Sequence, residues 1–171
     1  MFDPEFNEAL NMKFRKLFAL PFSLLMGALL LTACGDDPAG PVDPTELRFA
    51  TGLGVNLDEM TLTASGLYYQ DEVVGEGAEV TPGSTVTVDY SGWLHNGQLF
   101  DSTVGDSPYT VQNIGNGNVI AGWNEGLIGM HVGGRRLLVI PSHLGYGKRG
   151  SGPIPPYATL VFRVTVRAVG N

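Results

Sequence analysis

The sequence predicts an α+β fold in which one antiparallel sheet packs a single short helix against its inner face. Three observations predict it. Residues 84–93 alternate, with Val86, Val88 and Tyr90 on one face and Thr85, Thr87 and Asp89 on the other, the period of a half-buried strand. Residues 159–169 repeat the pattern, Leu160, Phe162, Val164 and Val166 facing in while Arg163, Thr165 and Arg167 face out. Between them one run, Val119-Ile120-Ala121-Gly122-Trp123, has helical spacing, too little helix for the strand-helix alternation of a parallel sheet.

The elements follow in order. Leu67 to Val74 is rich in strand formers, and Gly75-Glu76-Gly77 and Pro82-Gly83 supply turns after it. The strand over 84–93 ends at Ser91-Gly92, and Asn96-Gly97 between Trp93-Leu94 and Leu99-Phe100 signals a two-residue type I′ hairpin. A loop runs through Pro108, and the helix is expected over 119–130. Gly122, Gly126 and Gly129 each cost this helix about 1 kcal/mol against alanine, so its surroundings must hold it. Residues 135–140 form a strand closed by Pro141, 142–156 a Gly/Pro-rich loop, and 159–169 the last strand. Sheet and helix can share a face only through large apolar side chains; Tyr90, Phe100, Val119, Ile120, Trp123 and Phe162 are the candidates.

The N-terminal region carries an address instead of a fold. Lys13, Arg15 and Lys16 precede an apolar run over 17–31, and Leu31-Thr32-Ala33-Cys34 closes it. A run of about 15 residues falls short of the ~20 that span a bilayer, which favours a cleaved signal. The closing tetrad resembles the lipobox of bacterial lipoproteins. That resemblance implies that Cys34 is the first mature residue, bears lipid, and anchors an exported protein on the periplasmic or cell-surface face of a bacterial membrane. Residues 1–33 are then the signal, and 1–11, with acids ahead of the basic cluster, an extension before a start at Met12. Residues 34–60 read as a lipidated flexible tether and 61–171 as the folded domain. Within the tether, Leu47, Phe49, Leu53, Val55 and Leu57 are loosely spaced and either pack on the domain or form a marginal helix.

Composition narrows the function. Acidic residues outnumber basic ones 17 to 10, for a net charge of −7, which argues against a nucleic-acid partner. Cys34 is the only cysteine, so the mature fold has neither a disulfide nor a thiolate metal site. His95, His131 and His143 show no metal-ligand spacing and read as solvated loop residues; no metal or cofactor is expected. There is no Gly-x-Ser-x-Gly elbow, no phosphate-binding glycine loop, and Asp101 and Glu125 stand on different elements. Aromatic residues on several elements remain.

Those residues fall in a recognisable order: Gly66-Leu67-Tyr68-Tyr69, Val86-Thr87-Val88-Asp89-Tyr90-Ser91-Gly92, Phe100-Asp101-Ser102, Val119-Ile120-Ala121-Gly122-Trp123, Gly145-Tyr146-Gly147 and Ile154-Pro155-Pro156 followed by Ala158-Thr159-Leu160-Val161-Phe162. Over residues 67–169 the chain resembles the FKBP-type peptidyl-prolyl cis-trans isomerases. The resemblance implies a five- to six-stranded antiparallel sheet wrapped around one short helix, with an apolar cleft between them. It makes Trp123 the floor under a proline ring and Tyr90, Phe100, Val119, Ile120 and Phe162 the walls, with Tyr109 as a further aromatic wall. Asp101 and Tyr146 become rim groups, Tyr146 and the Ile120 backbone N–H donating to a substrate carbonyl, and Ile154 a further contact. Lys148 and Arg149 are expected at the rim. Residues 103–107 offer no arginine to Asp101, which leaves Tyr90 or another group to hold it.

Implied partners are proline-containing unfolded or partly folded exported proteins, and macrolide-type inhibitors. The alternative is a low-turnover proline-binding chaperone or assembly module. An X–Pro bond rotates over tens to hundreds of seconds unaided, across a barrier of about 18–20 kcal/mol. Lowering that barrier needs only selective binding of the twisted form, so the missing nucleophile and metal fit the reading.

Overall fold

The computed structural model describes residues 40–170; the expected signal segment, Cys34 and the first tether residues lie outside them. Seven strands form one sheet, and every pairing is antiparallel: β1 (Thr61–Leu62), β2 (Tyr68–Val73), β3 (Thr85–Leu94), β4 (Leu99–Ser102), β5 (Tyr109–Val111), β6 (Arg135–Ile140) and β7 (Leu160–Gly170). Their order is β1-β2-β6-β7-β3-β4. β7 covers one edge of β3 along its whole length, and β4 and β5 share the other, opposite residues 91–93 and 86–88. Five strands have four residues or more; the sequence reading left β5 unassigned, because three residues are too few to show a period.

The alternation read in β3 and β7 holds. Val86, Val88, Phe162, Val164 and Val166 are buried on the inner face, joined by Leu138 and Ile140 of β6. The helix α1 (Ala121–Gly126) lies across that face and sets Trp123 into this core, with Leu127 just beyond its end. It is half the expected length, and its glycines have a second role. A Cβ at Gly122 would sit 2.5 Å from Ile140 Cγ2, and one at Gly126 would sit 2.9 Å from Leu138 Cδ2. Glycine lets the helix backbone rest directly on β6, so the propensity loss is offset by close packing. Arg136 of β6 fastens the far end. Its buried guanidinium donates to the carbonyls of Gly126 (2.9 Å) and Ile128 (3.2 Å) and pairs with both carboxylate oxygens of Asp71 (2.7 and 2.9 Å). Carbonyls orphaned at a helix end thus meet a cation, which the local dipole favours.

Three sequence expectations are corrected. The flexible tether does not extend to residue 60. Residues 44–60 make three 3₁₀ turns, and Leu53 and Met60 are buried against Leu137, Val139 and Val161 on the outer face of the sheet. Ala50 N–H donates to His95 O (2.9 Å) and Arg163 Nη2 to Leu53 O (3.1 Å). The unbroken apolar run over 137–140 is the physical reason, since such a strand must be covered on both faces. Next, the strand that was to end at Ser91-Gly92 continues to Leu94. Finally, the hairpin turn is not type I′. Gly97 alone has a positive φ, at 90°, and Gly97 N–H closes on Leu94 O while Leu94 N–H closes on Gln98 O (both 2.9 Å). This is a three-residue loop with a glycine bulge, in which the Asn96 side chain accepts from Gln98 N–H (3.0 Å).

Candidate active site

Between α1 and the open end of the sheet lies a cavity of about 460 Å³. β3 supplies Tyr90, β4 Phe100 and Asp101, β5 Tyr109, and β7 Phe162. The segment entering α1 supplies Asn118, Val119 and Ile120, α1 itself Trp123, and the loop after β6 Tyr146. Trp123 is central. Its ring meets Tyr90 at 4.9 Å and Phe162 at 5.3 Å, with interplanar angles of 85° and 78°. Tyr109 stands 6.3 Å from it, and Phe100 packs edge-on to Phe162 at 5.4 Å. Edge-to-face contacts of this kind fix ring orientation as well as burying area. Trp123 and Phe162 are each 4% exposed, whereas Tyr109 and Tyr146 are 43% and 39% exposed. The result is a bowl with a dry floor and a wet, hydroxyl-bearing rim.

Asp101 is held by Tyr90, one of the two options left open by the sequence. The Tyr90 hydroxyl donates to Oδ2 at 2.5 Å, and Ser102 N–H donates to Oδ1 at 2.9 Å. Desolvation first, then the hydrogen bond and charge of Asp101, pushes the Tyr90 phenol far above its ordinary value; desolvation, followed by the charge of Asp101, raises Tyr146. Both phenols therefore remain neutral donors at neutral pH. Turnover in this cleft is expected to stay level from about pH 6 to about pH 9, because the raised Tyr90 and Tyr146 phenols keep their protons there. Stability is expected to fall as pH rises past 10.0, the ordinary tyrosine value. Above that pH the unfolded chain releases phenolic protons that the native chain keeps, which favours unfolding. Isomerisation rates across the first range and urea midpoints at about pH 9 and about pH 11 check both statements.

The structure gathers the predicted site residues into this one cavity, with Ile154 the exception. Ser151 and Ile154 exchange two backbone hydrogen bonds of 2.9 Å, and the tight loop so formed turns Ile154, 6% exposed, into the core away from the lining. Lys148 and Arg149, expected at the rim, lie in a 3₁₀ turn after Tyr146 and outside the lining. The three histidines sit elsewhere, each with a ring nitrogen on a backbone carbonyl: His95 on Arg48, His131 on Gly77 and His143 on Ser65.

Two residues escaped the sequence reading. Asn118 lines the cavity from a polar loop that gives no periodic signal. Asn124, on α1, aims away from the cavity and organises that loop. Its Oδ1 accepts from Gly115 N–H and Gly117 N–H (both 3.0 Å), while Nδ2 donates to Gly117 O (3.0 Å) and Val119 O (3.2 Å). The signal available was a lone amide on a short apolar helix directly after a glycine-rich loop. Asn124→Ala is expected to cost about 2–4 kcal/mol, since four backbone groups lose their partner. It should also reduce turnover by loosening Val119 and Ile120. Denaturant titration paired with an isomerase assay would check it, and unchanged stability would remove the anchoring role.

A buried aromatic floor beneath a hydroxyl-bearing rim is a shape suited to an apolar ring joined to a polar carbonyl. The chain belongs to the FKBP-type peptidyl-prolyl cis-trans isomerases, whose sequence pattern it matches over residues 76–167. It is 47% identical over 105 residues to an FK506-binding protein of Neisseria meningitidis serogroup B, a match that spans 61% of this chain and 96% of the relative. Among solved structures it is similar to FkpA from Escherichia coli, with a TM-score of 0.60 and 38% identity, over 66% of this chain and 52% of that one. It is also similar to a peptidyl-prolyl cis-trans isomerase from Pseudomonas syringae pv. tomato, with a TM-score of 0.61 and 30% identity, over 71% of this chain and 87% of that one. The antiparallel sheet and short helix are those the sequence predicted, and the reaction that goes with the family is rotation about the X–Pro bond.

Proposed function

We propose that this protein accelerates X–Pro isomerisation in exported polypeptides by holding the twisted imide in the bowl around Trp123. One observation carries the reading: Trp123 meets Tyr90 and Phe162 edge to face at the base of a cavity whose rim presents the neutral Tyr146 phenol. The proline ring rests on Trp123 between Tyr90, Phe100, Val119 and Phe162. Tyr146 and the Ile120 N–H, which makes no hydrogen bond among the described residues, donate to the substrate carbonyl.

Twisting the C–N bond removes its double-bond character and with it much of the charge separation of the planar amide. A dry floor therefore favours the twisted state over the planar ground state, and only such a difference lowers the barrier. A 10⁴-fold acceleration corresponds to about 5.5 kcal/mol of differential binding. Asp101 fixes the Tyr90 ring through the phenol hydrogen bond. Macrolide-type ligands, which the names of the relatives suggest, would compete for the same bowl. Lipid on Cys34 would hold the domain at the extracytoplasmic face of a bacterial membrane, through a tether shorter than residues 34–60. Mass spectrometry of the mature N-terminus tests that placement.

A refolding assay tests the function. With a client whose slow phase is prolyl isomerisation, substoichiometric protein should speed that phase. Protection from aggregation at stoichiometric ratio with the phase unaltered would favour the chaperone reading instead.

A further inference from the structure

A second, smaller cavity of about 200 Å³ adjoins the bowl. It is lined by Tyr109, Thr110, Val111, Gln112, Asn118 and Val119, and it shares Tyr109, Asn118 and Val119 with the main cavity. The two cavities are therefore neighbours, separated by those three shared residues. The floor of the first is aromatic; the second is bounded by an edge strand on one side and the chain entering α1 on the other. β5 pairs β3 along one edge, and no strand pairs its other edge among the described residues. Gln112 and Asn118 are exposed, and neither side-chain amide has a hydrogen-bond partner among the described residues.

An open strand edge with free amides beside it is a surface for extended peptide, whose backbone supplies the missing strand. We propose that this side groove is a subsite for the substrate chain flanking the proline on one side, held extended against the free edge of β5. The chemistry it reads is peptide backbone, so it favours length over any particular side chain. It also explains a geometric need. Rotation about one bond is productive only if one flank of the chain is held while the other turns, and the bowl by itself holds only the ring and the carbonyl beside it.

This inference rests on the bowl being the isomerase site, and the test separates the two. kcat/KM is measured for an Ala–Pro tetrapeptide and for two versions lengthened by about six uncharged polar residues, one on each side of the proline. About two added backbone hydrogen bonds should raise kcat/KM about tenfold for one of the long peptides and not the other. Gln112→Trp, at an exposed position that tolerates bulk, should fill the groove and bring the long-to-short ratio down towards one. Because the readout is a ratio within one protein, a general loss of activity cancels. Equal kcat/KM for all three peptides, equal gains from both extensions, or a ratio that survives Gln112→Trp would each overturn the subsite and leave the bowl intact. Failure to turn over even the tetrapeptide would instead sink the bowl.

Discussion

Trp123→Ala is expected to destabilise the fold by about 3–5 kcal/mol and to lower kcat/KM about 100-fold in the protein that remains folded. The side chain is 4% exposed and touches Tyr90, Tyr109 and Phe162, so its removal leaves a hole beneath the bowl instead of a smoother surface. The rings above would sink into the vacancy, and water would follow them. Both changes weaken discrimination between planar and twisted imide, which depends on a dry floor. Trp123→Phe separates the two losses: it keeps most of the volume and should recover most of the stability, but less of the rate, since the wider indole platform is gone. Urea titration gives the first quantity and peptide exchange rates the second. Turnover within about threefold of wild type in folded Trp123→Ala would mean that proline binds elsewhere.

Gly92→Ala is the second large effect, and a less obvious one. Gly92 lies in the middle of β3, opposite Asp101 on one side and Phe162 on the other. An added Cβ would stand 2.7 Å from Phe100 Cζ, 2.7 Å from Phe162 Cε1 and 2.8 Å from Phe100 Cε2. The strand cannot retreat because it is bonded along both edges, so the two rings must part. Overpacking of this kind costs about 1–3 kcal/mol. Here it also opens the wall of the bowl, so affinity for cleft ligands should fall by more than the stability loss explains. Calorimetric binding of a macrolide-type ligand, at a temperature where the variant is fully folded, measures that. Unchanged affinity would show that the Phe100–Phe162 pair plays no part in recognition.

Gly92 also shows where sequence reasoning reached and where it stopped. The alternation of Val86, Val88 and Tyr90 was legible because one face of β3 is buried and the other is not. The same property exposed the inward set of β7, whereas of the three residues whose spacing marked the helix only Trp123 lies within it, Val119 and Ile120 forming the segment that enters it. Gly92 read as the end of a strand because a residue with no side chain carries no period; its meaning lies in the two rings above it, which come from distant parts of the chain. For a related reason the segment over 44–60 was legible only as two alternatives, packing on the domain or a marginal helix, of which the first holds. Its apolar residues are spaced to suit the outer face of β6 and β7, not any regular backbone of their own. Ile154 was misplaced because a two-bond closure between Ser151 and Ile154 decides which way it points. Asn124 was missed because its partners are backbone groups, and these leave no trace in residue type.

In the mechanism proposed above, the bowl around Trp123 lowers the X–Pro barrier by binding alone, with no proton transfer. Exchange spectroscopy on an Ala–Pro peptide, with catalytic amounts of the domain in H₂O and in D₂O, tests this directly. It predicts cis–trans exchange accelerated by orders of magnitude, blocked by a macrolide-type competitor, and equal in the two solvents. No acceleration at micromolar protein, or a rate more than about twofold slower in D₂O, would contradict it.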